Sequence, residues 1–145
     1  MSVVATTSRG WRIYQPSSFW TIEIMSNTQQ FTTAKFLSIE TYRKSGQAMP
    51  TPVWFAEIDG RYYFQTQKNA GKVKRIRNNA ACRIAPCTQN GTITGEWIEA
   101  RAEVVTDTPA ALAAQQALLK KYGLMKRVFD LMNRKKGYDA VRIAV

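Results

Sequence analysis

MPTPVWFAEIDGRYYFQTQKNAGKVKRIRNN, residues 49–79, places two extended runs and one basic helical run side by side. Pro52 has no N–H to give a sheet ladder, so its run belongs at a strand start or a sheet edge, while Val53, Trp54 and Phe55 offer apolar surface on both faces. Asp59-Gly60 supplies the positive φ values of a tight hairpin turn, so RYYFQT should return antiparallel to MPTPVWFAEI. Beyond Asn69 the period changes. Val73 and Ile76 lie three apart among Lys72, Lys74, Arg75 and Arg77, which predicts a short helix resting on the sheet with its basic face outward.

The flanking sequence extends the same pattern. KFLSIETYR reads as a preceding strand, and CRIAPC and TGEWIEARAEVV flank Asn90-Gly91, a second hairpin signal. In the later run Trp97, Glu99, Arg101 and Glu103 alternate with Ile98, Ala100, Ala102 and Val104, so one face can be buried and the other wet. Asp107-Thr108-Pro109 predicts an N-cap with proline at the first helical position, opening a helix to about Tyr122 that Gly123 ends. Met125, Val128, Phe129 and Met132 mark the apolar stripe of a further helix, closed by basic RKKG, and YDAVRIAV returns as a last strand. The expectation is a meander of antiparallel strands with interleaved helices, an α+β, mainly β, barrel-like domain. Its 145 residues, 45% of them hydrophobic, are enough for one core and too few for two. Residues 25–145 carry the regular pattern. Residues 1–24, aperiodic and holding Trp11, Tyr14, Phe19 and Trp20, read as an N-terminal extension before a second candidate start at Met25.

Composition removes several chemistries. There is no histidine, which excludes Ser-His-Asp and Cys-His nucleophilic catalysis and almost every His-based metal site. Cys82 and Cys87, five apart in an extended run, should face opposite sides of a sheet, so the expectation is two small apolar fillers in a reducing cytoplasm, with no disulfide and no zinc pair. No apolar run reaches the roughly 18 residues of a membrane span, and the opening residues lack the order of a signal peptide. Lys and Arg outnumber Asp and Glu by 21 to 10, a net charge of +11 that attracts polyanions without specificity.

Three constellations carry chemistry. At YYFQTQKNAGK, the Thr66 hydroxyl, the flexible Gly71, Lys72 and the free amides of a helix start make a phosphate cradle, without the spacing of a P-loop. On spacing alone, a solvated basic face is the commoner use of such a helix. At TPVWF, Thr51 to Phe55, one face can stack on a flat heterocycle or be buried as core. At GEWIE, Trp97 beside Gly95 marks either a close approach between backbones or subunits, or ordinary packing. Glu96 and Glu99 fall on opposite faces of a strand and make a poor acid/base couple.

From about Phe31 to Val145, the runs KFLSIETYRKSGQAMPTPVWFAEIDGRYYFQTQKNAGKVKRIRNN, RIAPCTQNGTITGEWIEARAEVV and KKYGLMKRVFDLMNRKKG resemble the split β-barrel family related to pyridoxamine 5′-phosphate oxidase. More narrowly, they are similar to its deazaflavin-dependent oxidoreductases. The resemblance implies a six-stranded antiparallel split barrel flanked by helices, a homodimer with cofactor sites at the interface, and FMN or the deazaflavin coenzyme F420 as cofactor. It also implies that Thr51, Pro52, Val53 and Trp54 run along the ring and that Gln65 and Thr66 meet the cofactor. Lys72 is then at the phosphate, Lys68, Lys74 or Arg75 replace a missing charge, and Trp97 reaches the ring from the partner subunit. Two positions depart from the oxidase: Thr51 stands where it has a strand arginine, and its Ser-Arg-Lys phosphate motif is reduced here to Ala70-Gly71-Lys72. The function implied is hydride transfer between the cofactor and a small conjugated substrate. The alternatives are a non-catalytic barrel binding RNA or another polyanion through its charge, and a tetrapyrrole-binding relative, which without histidine needs an unusual axial ligand.

Overall fold

A computed structural model of the protein describes residues 28–133 and 137–145. The expected extension, residues 1–24, lies outside the described residues. Contacts divide the chain into Met1–Thr33 and Ala34–Val145. The described part of the first unit, from Thr28, is a single helical turn in which Phe31 and Thr32 amides donate to the Thr28 and Gln29 carbonyls.

The second unit is built on one antiparallel sheet of seven strands: β1 (Phe36–Tyr42), β2 (Ala48–Val53), β3 (Ala56–Ile58), β4 (Arg61–Gln67), β5 (Ala81–Cys87), β6 (Ile98–Val105) and β7 (Tyr138–Ala144). Three helices complete it: α1 (Gly71–Asn78), α2 (Thr108–Tyr122) and α3 (Leu124–Asn133). The strand order is β2-β1-β5-β6-β7-β4-β3, so the strands do not form a simple meander. β2 and β3 occupy opposite edges of the sheet, yet only Trp54 and Phe55 separate them in sequence. Two residues span about 7 Å, so the sheet must curl until its edges nearly meet, which makes it a split barrel. This also explains why the count is seven where six was expected. The run MPTPVWFAEI is extended throughout, but Val53 pairs with Leu37 of β1 and Ala56 with Tyr63 of β4, so one apolar run serves two edges.

Local signals place the turns. Asp59 and Gly60 both take positive φ, 51° and 81°, closing Ile58 onto Arg61. At the second hairpin signal the turn centres one residue earlier than expected: Gly91 N–H donates to Thr88 O, and Gly91 takes φ 92° as the fourth turn residue. α2 begins at its Asp107 N-cap, with proline in the first turn, and Gly123 (φ 60°) stops it. Val73 and Ile76 are the buried residues of α1, and Arg75 Nε donates to Thr41 Oγ1 at 2.7 Å, which ties the helix to β1. Inside the barrel, Leu37, Ile39, Phe64, Ile84, Val141 and Ile143 are fully buried. Cys82 and Cys87 are both free and buried, and burial pushes the Cys82 thiol up to about 12 and raises Cys87, as inert fillers require.

α3 departs from its sequence pattern. Met125, Val128, Phe129 and Met132 are between 45% and 77% exposed, whereas Lys126 is 3% exposed. The side turned toward the barrel is the one carrying Lys126, which pairs with Asp130 one turn on and lies 5.4 Å from the Tyr138 ring centroid. Met125, Val128 and Met132 are left facing outward, while the Phe129 ring tilts against Trp54 at 5.5 Å.

The crossing at Trp54-Phe55 is held by Tyr122, the last residue of α2. Its Oη accepts from Phe55 N–H at 3.0 Å and lies 2.7 Å from Lys35 O and 3.0 Å from Phe55 O, while its ring stacks on Trp54 at 4.9 Å and 13°. Burial pushes the phenol up to about 12 from its ordinary 10.0, with the Phe55 bond working the other way. A raised tyrosine pKa contributes stability that is complete below 10 and lost as pH rises through 12. Tyr122→Phe should therefore lower the unfolding free energy by about 1–3 kcal/mol at neutral pH. It should also flatten the alkaline fall in stability between those two values. Urea denaturation of both proteins at neutral and alkaline pH measures each effect.

Candidate functional site

Where β2 ends and β4 ends beside α1, the curled sheet leaves a cavity of about 370 Å³. Pro52 and Val53 at the end of β2, with Trp54 just beyond, form one wall, and Phe36 and Phe129 add aromatic surface. Gln65, Thr66 and Gln67 close β4 on the other side, Ala70 and Lys72 bring in the start of α1, and Gln89 and Tyr138 complete the lining. Pro52 fits because β2 is an edge strand, paired on one side only, where a missing N–H costs no ladder bond.

The polar end is the α1 start. Lys72 Nζ donates to Thr66 Oγ1 at 3.1 Å, so the ammonium is fixed at the cavity wall by a hydroxyl from the adjacent strand. Burial, and then the neighbouring Arg75 charge, push Lys72 below the ordinary lysine value. Ala70 gives the helix no side-chain cap. A side chain at Gly71 would begin 3.0 Å from Arg75 Nη1, so glycine lets the guanidinium lie close against the helix start. Cationic groups and a helix N-terminus therefore converge on one corner, an arrangement suited to phosphate.

Two of the lining residues carry a buried polar atom with unmet hydrogen-bonding capacity. Gln65 Oε1 and Tyr138 Oη are buried and have no hydrogen-bond partner. Burial, and then the neighbouring Asp130 carboxylate, raise the Tyr138 phenol. Buried polar atoms are ordinarily satisfied, and these two, both in residues of the cavity lining, are exceptions. Among the described residues no group of three or more His, Cys, Asp or Glu is placed to hold a metal.

Six residues expected at the cofactor, Pro52, Val53, Trp54, Gln65, Thr66 and Lys72, come together in this cavity. Four lie apart from it in the single chain. Thr51 sits opposite Ile39 in the β1–β2 ladder. Lys68 and Lys74 are exposed, and Trp97, just before β6, carries the Arg83 guanidinium 5.0 Å from its ring centroid. Arg75 is committed to Thr41. Sequence reading missed Phe36, Gln67, Gln89, Phe129 and Tyr138 as lining residues. Only Tyr138 had an available signal, as the residue that starts the last strand, and its place depends on pairing with Gln67 across β4 and β7.

A split barrel with a phosphate-suited corner and an aromatic wall defines a class of small cofactor-binding proteins. The family model for pyridoxamine 5′-phosphate oxidase matches residues 25–145, and the chain belongs to that family. No curated protein matches the chain. Solved structures of similar fold include a conserved hypothetical protein of Mycobacterium tuberculosis, with 20% identity and a TM-score of 0.63 over 86% of this chain and 79% of that one. The heme storage protein HutZ of Vibrio cholerae has 15% identity and a TM-score of 0.62 over 85% and 87%. A FAD-binding protein of Mesorhizobium loti has 17% identity and a TM-score of 0.56 over 83% and 88%. At these identities the likeness is one of fold.

Tyr138→Phe removes a buried hydroxyl that has no partner and keeps the ring. It should raise the unfolding free energy by about 1 kcal/mol, read from the urea midpoint at unchanged slope.

Proposed function

We propose that the cavity binds a flavin-type cofactor, FMN or the deazaflavin coenzyme F420, and that the protein is an oxidoreductase acting on a small conjugated substrate. The observation that carries this reading is the Lys72–Thr66 contact of 3.1 Å at the polar corner of a cavity walled by Pro52, Val53 and Trp54. The lysine and hydroxyl suit a cofactor phosphate, and the Trp54 side a flat ring. Family membership and the FAD-binding neighbour support the same choice.

When bound, the cofactor supplies hydride chemistry, so the absence of histidine is no obstacle. The chain's own residues bind and orient it. Lys72 neutralises phosphate charge, Thr66 holds Lys72 at the wall, and the apolar side chains of Val53, Trp54 and Phe36 exclude water from the ring. The reading includes a homodimer, for which the exposed apolar side chains of α3 and the open side of the cavity offer surface. Light scattering should then give twice the 16.4 kDa chain mass.

Titration with FMN and with F420, followed by absorption or fluorescence, tests the reading directly, and binding of neither rejects it. Lys72→Ala should weaken the cofactor about tenfold to a hundredfold, the worth of a charge-assisted hydrogen bond. Because the Lys72 pKa is lowered, the bound anion selects its charged form, and affinity should fall as pH rises through that lowered value. Lys72→Arg keeps its charge and should remove the fall. An affinity independent of pH in both proteins would place the phosphate elsewhere.

A further inference from the structure

Arginines gather at the opposite end of β4 from the first cavity. Arg61 opens that strand five residues before Thr66, about 17 Å away along extended chain. Arg101 of β6 pairs with Ala144 of β7, and Tyr62 of β4 with Ile143, so the antiparallel register sets Arg61 level with Ala144 on its other side. One row across three strands therefore reads Arg101, Ala144, Arg61, and the two arginines stand two strand spacings apart, about 10 Å. Residues opposite one another share a face of the sheet, so both stems rise on the same side, about a residue whose side chain ends at Cβ. There they line a cavity of about 410 Å³ together with Ala80, Ala102, Arg142 and Glu103, within the size range of small-molecule sites. Arg142 is already matched by Glu103, its neighbour in the β6–β7 ladder. The other ion pairs among the described residues are Arg83–Glu40 and Lys126–Asp130, so neither Arg61 nor Arg101 has a carboxylate partner there.

We propose that this cavity binds one phosphate group, free or carried by a small monoester, between the Arg61 and Arg101 guanidiniums. Two unpaired guanidiniums flanking one small residue repel each other until an anion enters between them, and each presents a fork of N–H donors that fits an oxyanion. The positive charge does not continue along the strand. On the face of β6 that carries Arg101, the residues two before and two after it are Glu99 and Glu103. Acids on both sides suit a single compact anion and repel a chain of phosphates laid along the strand. The site stands apart from Lys72 and does not rest on the flavin-type reading.

The test titrates the full chain with inorganic phosphate and, separately, with phenyl phosphate, at an ionic strength held constant with chloride, while NMR follows the arginine Nε–H signals. The Arg61 and Arg101 signals should move and saturate together with at least one of the two ligands, in wild type and equally in Lys72→Ala, which removes the cation of the first cavity. The tighter of the two ligands tells whether the group arrives free or esterified, and either result supports the site. Arg61→Gln and Arg101→Gln, substitutions at exposed positions that leave the fold intact, should each weaken binding about tenfold to a hundredfold, the loss of one charge-assisted pairing. Arg101→Lys keeps the charge but loses the fork, and should recover only part of that loss. Signals that drift without saturating, or that chloride alone reproduces, overturn the proposal. So does binding that disappears in Lys72→Ala and persists in both glutamine variants. A single-stranded oligonucleotide that moves both signals and that phosphate does not displace overturns it as well, in favour of a general polyanion surface.

Discussion

One phenol oxygen holds the turn on which the barrel depends. Between β2 and β3 the chain crosses from one sheet edge to the other in two residues. Tyr122 Oη accepts the Phe55 N–H and lies within bonding distance of the Phe55 and Lys35 carbonyls, so one side chain ties the crossing to the start of β1. The stack of Trp54 on the Tyr122 ring fixes the same crossing from the other side. Lys121, the preceding residue, sets its ammonium 3.5 Å from the Phe55 ring centroid, and desolvation brings it down to about 8 against the charge of Glu57. Its charge is partly withdrawn from water to cover the crossing.

Closure has a direct consequence for the site. Because β2 and β3 are continuous through Trp54-Phe55, the end of β2 is carried round to the strand that β3 pairs with, β4, and Pro52 and Val53 come to face Gln65 and Thr66. A flat sheet with the same strand pairs would leave these residues at opposite edges. The cavity therefore follows from the crossing, and its phosphate-suited corner follows from α1, which starts four residues after β4 ends and is held against β1 by Arg75 and Thr41.

The local parts of this arrangement were legible in the sequence. Asp59-Gly60, Asp107-Pro109, Gly123, and the Val73/Ile76 spacing each act over a few residues, and each stands where its chemistry requires. The split of MPTPVWFAEI was not legible, because an extended apolar run looks the same whether it serves one edge or two. Tyr122 was read only as a helix end: its partners are 67 and 87 residues away, and nothing near it encodes them. Tyr138 was hidden for the same reason, since its position depends on the β4–β7 register. On α3 the periodicity found the apolar stripe correctly, but periodicity does not say whether a stripe faces the chain's own core or an outside surface. Lys126 and Asp130, i and i+4, decided that by pairing beneath Tyr138.

Net charge and site charge answer different questions. The +11 of the chain raises the local concentration of any anion and its rate of encounter, but most of the cations that make it, Lys68 and Lys74 among them, are solvated and select nothing. Among the described residues Lys72 is the one basic side chain lining the first cavity, and it is held there at a desolvation cost that shows in its lowered pKa. Buried polar groups elsewhere are matched, as in Glu40 with Arg83 at 2.8 Å and Thr41 with Arg75. The mismatches found among the described residues, a desolvated ammonium, an amide oxygen and a phenol, instead belong to residues that line one cavity. That clustering, more than the basic run that carries Lys72, distinguishes this cavity from the cationic surface around it.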